Sequence, residues 1–211
     1  MLLALSPALP SQADQPPALP NRPFLQAEAP LTVTAEWLAS NLGDPHLVLL
    51  HVGPEEEYQA GHIPGAQYIS LRDISLPVES EGEGLTLEMP PPEALRQELE
   101  TRGVSDDSHI VVIFGGDSVT PSTRLVFTLD YLGLGGQTSM LDGGQRAWTT
   151  AGHTLSTEIT ESTPGRLTPG TVRSELIVSA EGAAEAAEPG GAVLVDAREL
   201  WFFDGTRPTN D

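Results

Sequence analysis

The sequence predicts an α/β fold, a parallel sheet flanked by helices, followed by the start of a second, similar unit. Three observations carry this reading. Two near-continuous apolar runs of strand length, HLVLLHVG (46–53) and HIVVIF (109–114), have the character of strands covered on both faces. Stretches with helical spacing alternate with such runs, and a β-α-β-α-β-α order favours parallel pairing. A shift of 145 residues lays VTAEWLASNLGDPHLVLLHVGPEEEY (33–58) over VSAEGAAEAAEPGGAVLVDARELWFF (178–203) without a gap.

The elements follow in order. In LTVTAEWLASNLGDP, Thr34 is placed to cap a helix with Trp37 and Leu38 on its apolar face, and Gly43 suits its end. The strand at 46–53 runs into PEEEYQA, where Pro54 and three acids favour a helix N-terminus. AQYISL reads as a second strand, and 77–90 as an acidic, Gly-containing insertion. PPEALRQELETRG has Leu95 and Leu99 four apart, with Gly103 as its stop. After the strand at 109–114, TRLVFTLDYLG aligns Leu125, Leu129 and Leu132 and ends at Gly133. TSMLDGG is a short strand into a turn, with Asp142 as a turn residue, and QRAWTTAG a short helix. The expected organisation is a leader over 1–30, a domain over 31–154, a linker over 155–175 rich in Thr, Ser, Pro and Gly, and part of a second domain over 176–211. That second part holds one helix, one strand and an aromatic turn, too little for a core of its own.

Composition narrows the chemistry. Ten basic residues, all arginine, stand against thirty acidic ones, a net charge of -20. Such a surface repels nucleic acid and anionic lipid, so neither is an expected partner. It also reads as a solubility adaptation, and it gives weight to any arginine near a pocket. No apolar run reaches the length of a membrane helix. The start, MLLALSPALPSQADQPPALPNRP, reads either as a degenerate or truncated secretory signal, which favours a periplasmic or secreted protein, or as a disordered Pro-rich leader of a cytoplasmic one. Cysteine is absent, which excludes disulfides, zinc–thiolate sites and thiolate catalysis by these 211 residues.

The stretch VVIFGGDSVTPSTR (111–124) looks like an anion cradle: a strand, two glycines, small polar residues and an arginine at the start of a helix. It holds hydroxyls but no evident base. Ser118, Ser122 and Thr123 read as donors to an anion or as helix-capping hydroxyls. Arg124 offers a guanidinium fork suited to a small anion such as a carboxylate, or else pairs on the surface with Asp117 or Asp130. His51 and His62 could suggest a metal pair, but no carboxylate stands at a third-ligand spacing, so His62 reads as a turn histidine. No cofactor is implied.

Together, EEEYQAGHIPGAQYI, LDGGQRAWTTAGH and VLVDAREL resemble the segments of rhodanese-type sulfurtransferases, over roughly 31–211. The tandem arrangement resembles the two-domain thiosulfate and 3-mercaptopyruvate sulfurtransferases. That resemblance implies a rhodanese-like fold and a cysteine persulfide that passes sulfane sulfur from a small anionic donor to a thiol or cyanide. The position that matches the family's cysteine is Gly115. His51 and Gly53 stand where the second copy keeps Asp196 and Arg198. By the same resemblance the first domain is non-catalytic, Arg124 binds the anionic substrate across the interdomain cleft, and the cysteine loop lies beyond this sequence, so the chain alone is expected to be inactive.

Overall fold

The computed structural model describes residues 28–77, 87–116, 119–198 and 200–206. The leader lies outside these residues almost entirely, as does most of the acidic insertion. A five-stranded sheet forms from β1 (Thr32–Val33), β2 (Leu47–Val52), β3 (Gln67–Ile69), β4 (His109–Phe114) and β5 (Thr138–Leu141), in the order β1-β5-β4-β2-β3 with every pairing parallel. The edge strand β1 has no expectation behind it in the sequence, because two residues carry no periodicity.

Five helices cover the sheet: α1 (Ala35–Asn41), α2 (Glu55–Ala60), α3 (Pro92–Thr101), α4 (Thr120–Tyr131) and α5 (Gly144–Thr150). Alternation along the central strands explains their uninterrupted apolar character. Leu50, Val52, Ile110 and Val112 face one core with Leu95, Leu99, Leu125 and Leu129 of α3 and α4. Leu49, Val111 and Ile113 face the other with Leu38 of α1 and Trp148 of α5. Thr34 caps α1 as expected, its hydroxyl accepting from the Trp37 N–H at 3.2 Å. Gly103 and Gly133 follow the last residues of α3 and α4 with φ of 84° and 82°, a left-handed backbone that glycine adopts without steric cost. Pro54 is the cap of α2 rather than its first residue, and Gly43 is not left-handed.

The segment expected as a linker forms almost no regular structure, yet it runs along the domain as a strap. The backbones of Ser156 and His62 exchange two hydrogen bonds, at 2.8 and 2.9 Å. Farther on, the Gly165 N–H donates to the Glu100 carbonyl, the Leu167 N–H to the Glu100 carboxylate, and Thr168 to both Asp106 oxygens. Leu167 enters the α3/α4 core. Arg173 closes the strap by pairing with Asp130 at 2.6 Å, so Asp130 is not the partner of Arg124.

Beyond the strap, α6 (Ala180–Ala186) begins at Ser179, whose hydroxyl accepts from the Gly182 N–H, and α7 (Leu200–Phe203) is a single turn. The strand expected over 192–197 does not form: this stretch is paired with no other described strand, and Val193 and Val195 are 86% and 83% exposed. A parallel strand needs neighbours for its backbone and cover for its two faces, and the described residues supply neither.

Candidate functional site

The carboxyl ends of β2 and β4 lie side by side, with Val52 opposite Phe114, and the chain leaves both at a glycine. The Gly115 N–H donates to the Val52 carbonyl at 3.2 Å, which continues the ladder by one bond into the loop. Gly53 lies directly across from it. From here the loop leads into the twelve-residue helix α4, which has no side-chain cap and no acid in its first turn.

Two side chains from β2 and α2 fill the mouth of this loop. A β-carbon on Gly115 would stand 2.9 Å from His51 Nε2 and 3.0 Å from a Glu57 carboxylate oxygen. One on Gly116 would meet both Glu57 oxygens, at 3.0 and 3.1 Å. His51 is fully buried, and neither ring nitrogen has a hydrogen-bond partner. Burial, reinforced by the nearby His62, pulls its pKa down to about 4, so the ring is neutral at ordinary pH.

Tyr58 organises the neighbourhood. Its ring stacks on His62 at 3.9 Å and meets His51 edge-on at 5.4 Å. Its hydroxyl donates to the Ala66 carbonyl at 2.8 Å, which ties the GHIPGA turn to α2. Burial raises its pKa. His62 is also fully buried, and its two ring nitrogens lie 2.8 Å from the Tyr58 carbonyl and 3.1 Å from the Glu158 carbonyl. Its surroundings are those of a turn histidine. Among the described residues, no group of three His, Asp or Glu side chains converges on a point that could hold a metal ion.

The other predicted residues scatter. Arg124 lies in the second turn of α4, half-buried, with its guanidinium turned toward the end of the insertion. It donates to the Leu87 carbonyl at 2.9 Å and reaches Met89 Sδ at 3.9 Å. Its Nε is buried with no partner, and burial lowers its pKa. Neither hydroxyl caps the helix. Thr123 donates back to the Thr120 carbonyl, and Ser122 Oγ is buried without a partner. Asp117 and Ser118 lie outside the described residues. Asp142 sits in the turn after β5. Glu57 carried no functional expectation. Its signal was available only as one of three acids on α2, whose six residues also bring it to the loop.

Known proteins with related sequences or folds identify the family. The rhodanese-like domain family matches residues 34–151. A probable 3-mercaptopyruvate sulfurtransferase of Pseudomonas aeruginosa is 34% identical over 82% of this chain and 63% of its own length. A thiosulfate sulfurtransferase of Rattus norvegicus is 28% identical over 85% of this chain, again 63% of its own length. The chain therefore spans less than two thirds of these relatives. The crystal structure of SseA from Escherichia coli, a 3-mercaptopyruvate sulfotransferase with the rhodanese fold, superposes with a TM-score of 0.71, covering 83% of this chain and 68% of that one at 24% identity. With the family model matching more than half of the chain and the fold in agreement, the chain belongs to the rhodanese-like family, whose matched members include 3-mercaptopyruvate and thiosulfate sulfurtransferases.

Proposed function

We propose that this chain is the non-catalytic N-terminal domain, with the opening of the C-terminal domain, of a tandem sulfurtransferase. One observation carries the reading. The loop that in the family starts with the sulfur-carrying cysteine starts here at Gly115, and His51 and Glu57 occupy the space a side chain there would need. In the complete enzyme a cysteine thiolate of the second domain attacks the outer sulfur of thiosulfate or the sulfur of 3-mercaptopyruvate. Sulfite or pyruvate leaves, the sulfur remains as a persulfide, and cyanide or a thiol then removes it and regenerates the thiolate. The chain's coverage of under two thirds of its relatives supports this division. So does the Asp196–Arg198 pair, held at 2.6 Å in the second copy where the first has His51 and Gly53.

The role proposed for Arg124 is to bind the donor's negative charge through the free Nε–H and through donors released from Leu87. A chain extended through the coding sequence after Asp211 is expected to carry a cysteine-led loop about fifty residues on, at the spacing of the internal repeat. In that protein Arg124→Ala raises KM for thiosulfate at least about tenfold, the scale of one lost charge-assisted contact, while kcat changes little. An unchanged KM removes Arg124 from the site.

A second reading is a rhodanese-like module that binds an anion or a partner and has no catalytic half. The filled loop fits this reading as well as the first, so the two part only over a catalytic second half. A stop codon directly after Asp211 selects this reading, and a downstream cysteine loop rejects it.

A further inference from the structure

Beyond the carboxyl ends of β2 and β4, several donors have nothing among the described residues to accept them. His51 is fully buried, neither ring nitrogen has a partner, and Nε2 faces Gly115, 2.9 Å from where a β-carbon would stand. An imidazole buried without partners has given up water and gained no bond in return. Its pKa of about 4 keeps the ring neutral, so it brings one N–H and no charge. Gly116 has a left-handed φ of 58°, and its N–H has no acceptor, nor have those of Val119 and Thr120 at the start of α4. In the first turn of this twelve-residue helix, Ser122 Oγ is buried without a partner. Unbonded N–H groups at a helix N-terminus, with a buried side-chain donor turned toward the same loop, suit an anion.

We propose that the mouth formed by Gly115, Gly116 and the first turn of α4 is a binding site for a small tetrahedral oxyanion, with His51 as a donor and Glu57 as a built-in competitor. Glu57 already sets a negative charge there, with its two oxygens 3.0 and 3.1 Å from the β-carbon position of Gly116. Yet Glu57 is exposed, and no hydrogen bond holds its carboxylate. It can turn out to water about its own side-chain torsions and lose no bond. His51 stays, because it is buried and packed edge-on against Tyr58. A tetrahedral anion free of any tether offers acceptors in several directions, which one carboxylate on α2 does not. The charge of -20 opposes any anion, and Glu57 is the part of it that stands at the mouth. The site is separate from Arg124, whose guanidinium turns to Leu87, so it rests on neither reading of the catalytic half.

The test is amide NMR of the whole chain at neutral pH and constant ionic strength, titrated separately with thiosulfate, sulfate and phosphate, in wild type and in Glu57→Gln. The amides of Gly116, Val119 and Thr120 are expected to shift and saturate. Glu57→Gln is expected to bind at least about tenfold more tightly than wild type, the scale of one like charge removed at close range. His51→Leu in the Glu57→Gln background should lose most of that gain; should it fail to fold, the comparison of wild type with Glu57→Gln decides alone. Saturation by thiosulfate and sulfate only identifies a sulfur oxyanion as the ligand, and equal saturation by all three a general tetrahedral anion; both support the site. Amides that respond in neither protein, equal affinity in the two, or shifts confined to the Arg124 Nε–H each overturn it. The last of these leaves the role proposed for Arg124 standing.

Discussion

Gly115 is the residue at which fold and chemistry meet. Its backbone continues the β2–β4 ladder, while its missing side chain makes room for His51 and Glu57. Glu57 is long enough to swing aside. His51 is packed against Tyr58 and is not, so Gly115→Ala is expected to cost about 1–3 kcal/mol by overpacking, measured by urea unfolding. A neutral effect would show that the loop is open. His51 itself makes a pH prediction. Its pKa is about 4 in the folded chain and near the ordinary histidine value once unfolded. Below that ordinary value the unfolded chain binds a proton that the native one refuses. The contribution of His51 is therefore complete above about pH 6.5 and declines as the pH falls toward 4, by up to about 3 kcal/mol. His51→Leu should flatten this part of the stability profile relative to wild type, and parallel profiles would contradict the buried, neutral ring. The glycine at the loop start was legible in the sequence, and the resemblance to the rhodanese family is what sets it against that family's cysteine. The filling of the loop was not, because Glu57 arrives from 58 positions earlier in the chain through the packing of α2.

At the scale of elements, sequence and structure agree where a periodic pattern meets a stop signal. The strands at 47–52 and 109–114, the leucine faces of α3 and α4 and the Gly103 and Gly133 stops all lie where expected. The strap is the main departure. Its Thr, Ser, Pro and Gly content has no period and reads as loose, but its order comes from Glu100, Ser105, Asp106 and Asp130, which lie far off in the sequence. Gly165 shows how close the fit is: a β-carbon there would lie only 2.1 Å from the Val104 carbonyl oxygen. Gly165→Ala must lift the strap, break the bond to Glu100 and expose Leu167. A loss of about 3 kcal/mol is expected in thermal or urea unfolding, with faster amide exchange at Leu167 and Thr168. Wild-type stability in this variant would mean that the strap is not seated.

Across the whole molecule the two segments aligned by the 145-residue shift differ in what surrounds the same pattern. In the first, LVLLHV lies between β3 and β4 and is buried; in the second, AVLVDA is paired with no described strand and is exposed. The similarity of the two segments is visible in the sequence, but a strand depends on its neighbours as much as on its own residues. Among the described residues no helix is long and apolar enough to cross a membrane, and all ten basic residues of the sequence are arginines, set against a net charge of -20. On the proposed function, these 211 residues hold the supporting part of a sulfur-transfer site, and they contain no cysteine to carry sulfur. Purified chain mixed with thiosulfate and cyanide should form thiocyanate no faster than buffer does. Sustained turnover by the chain alone would contradict the account.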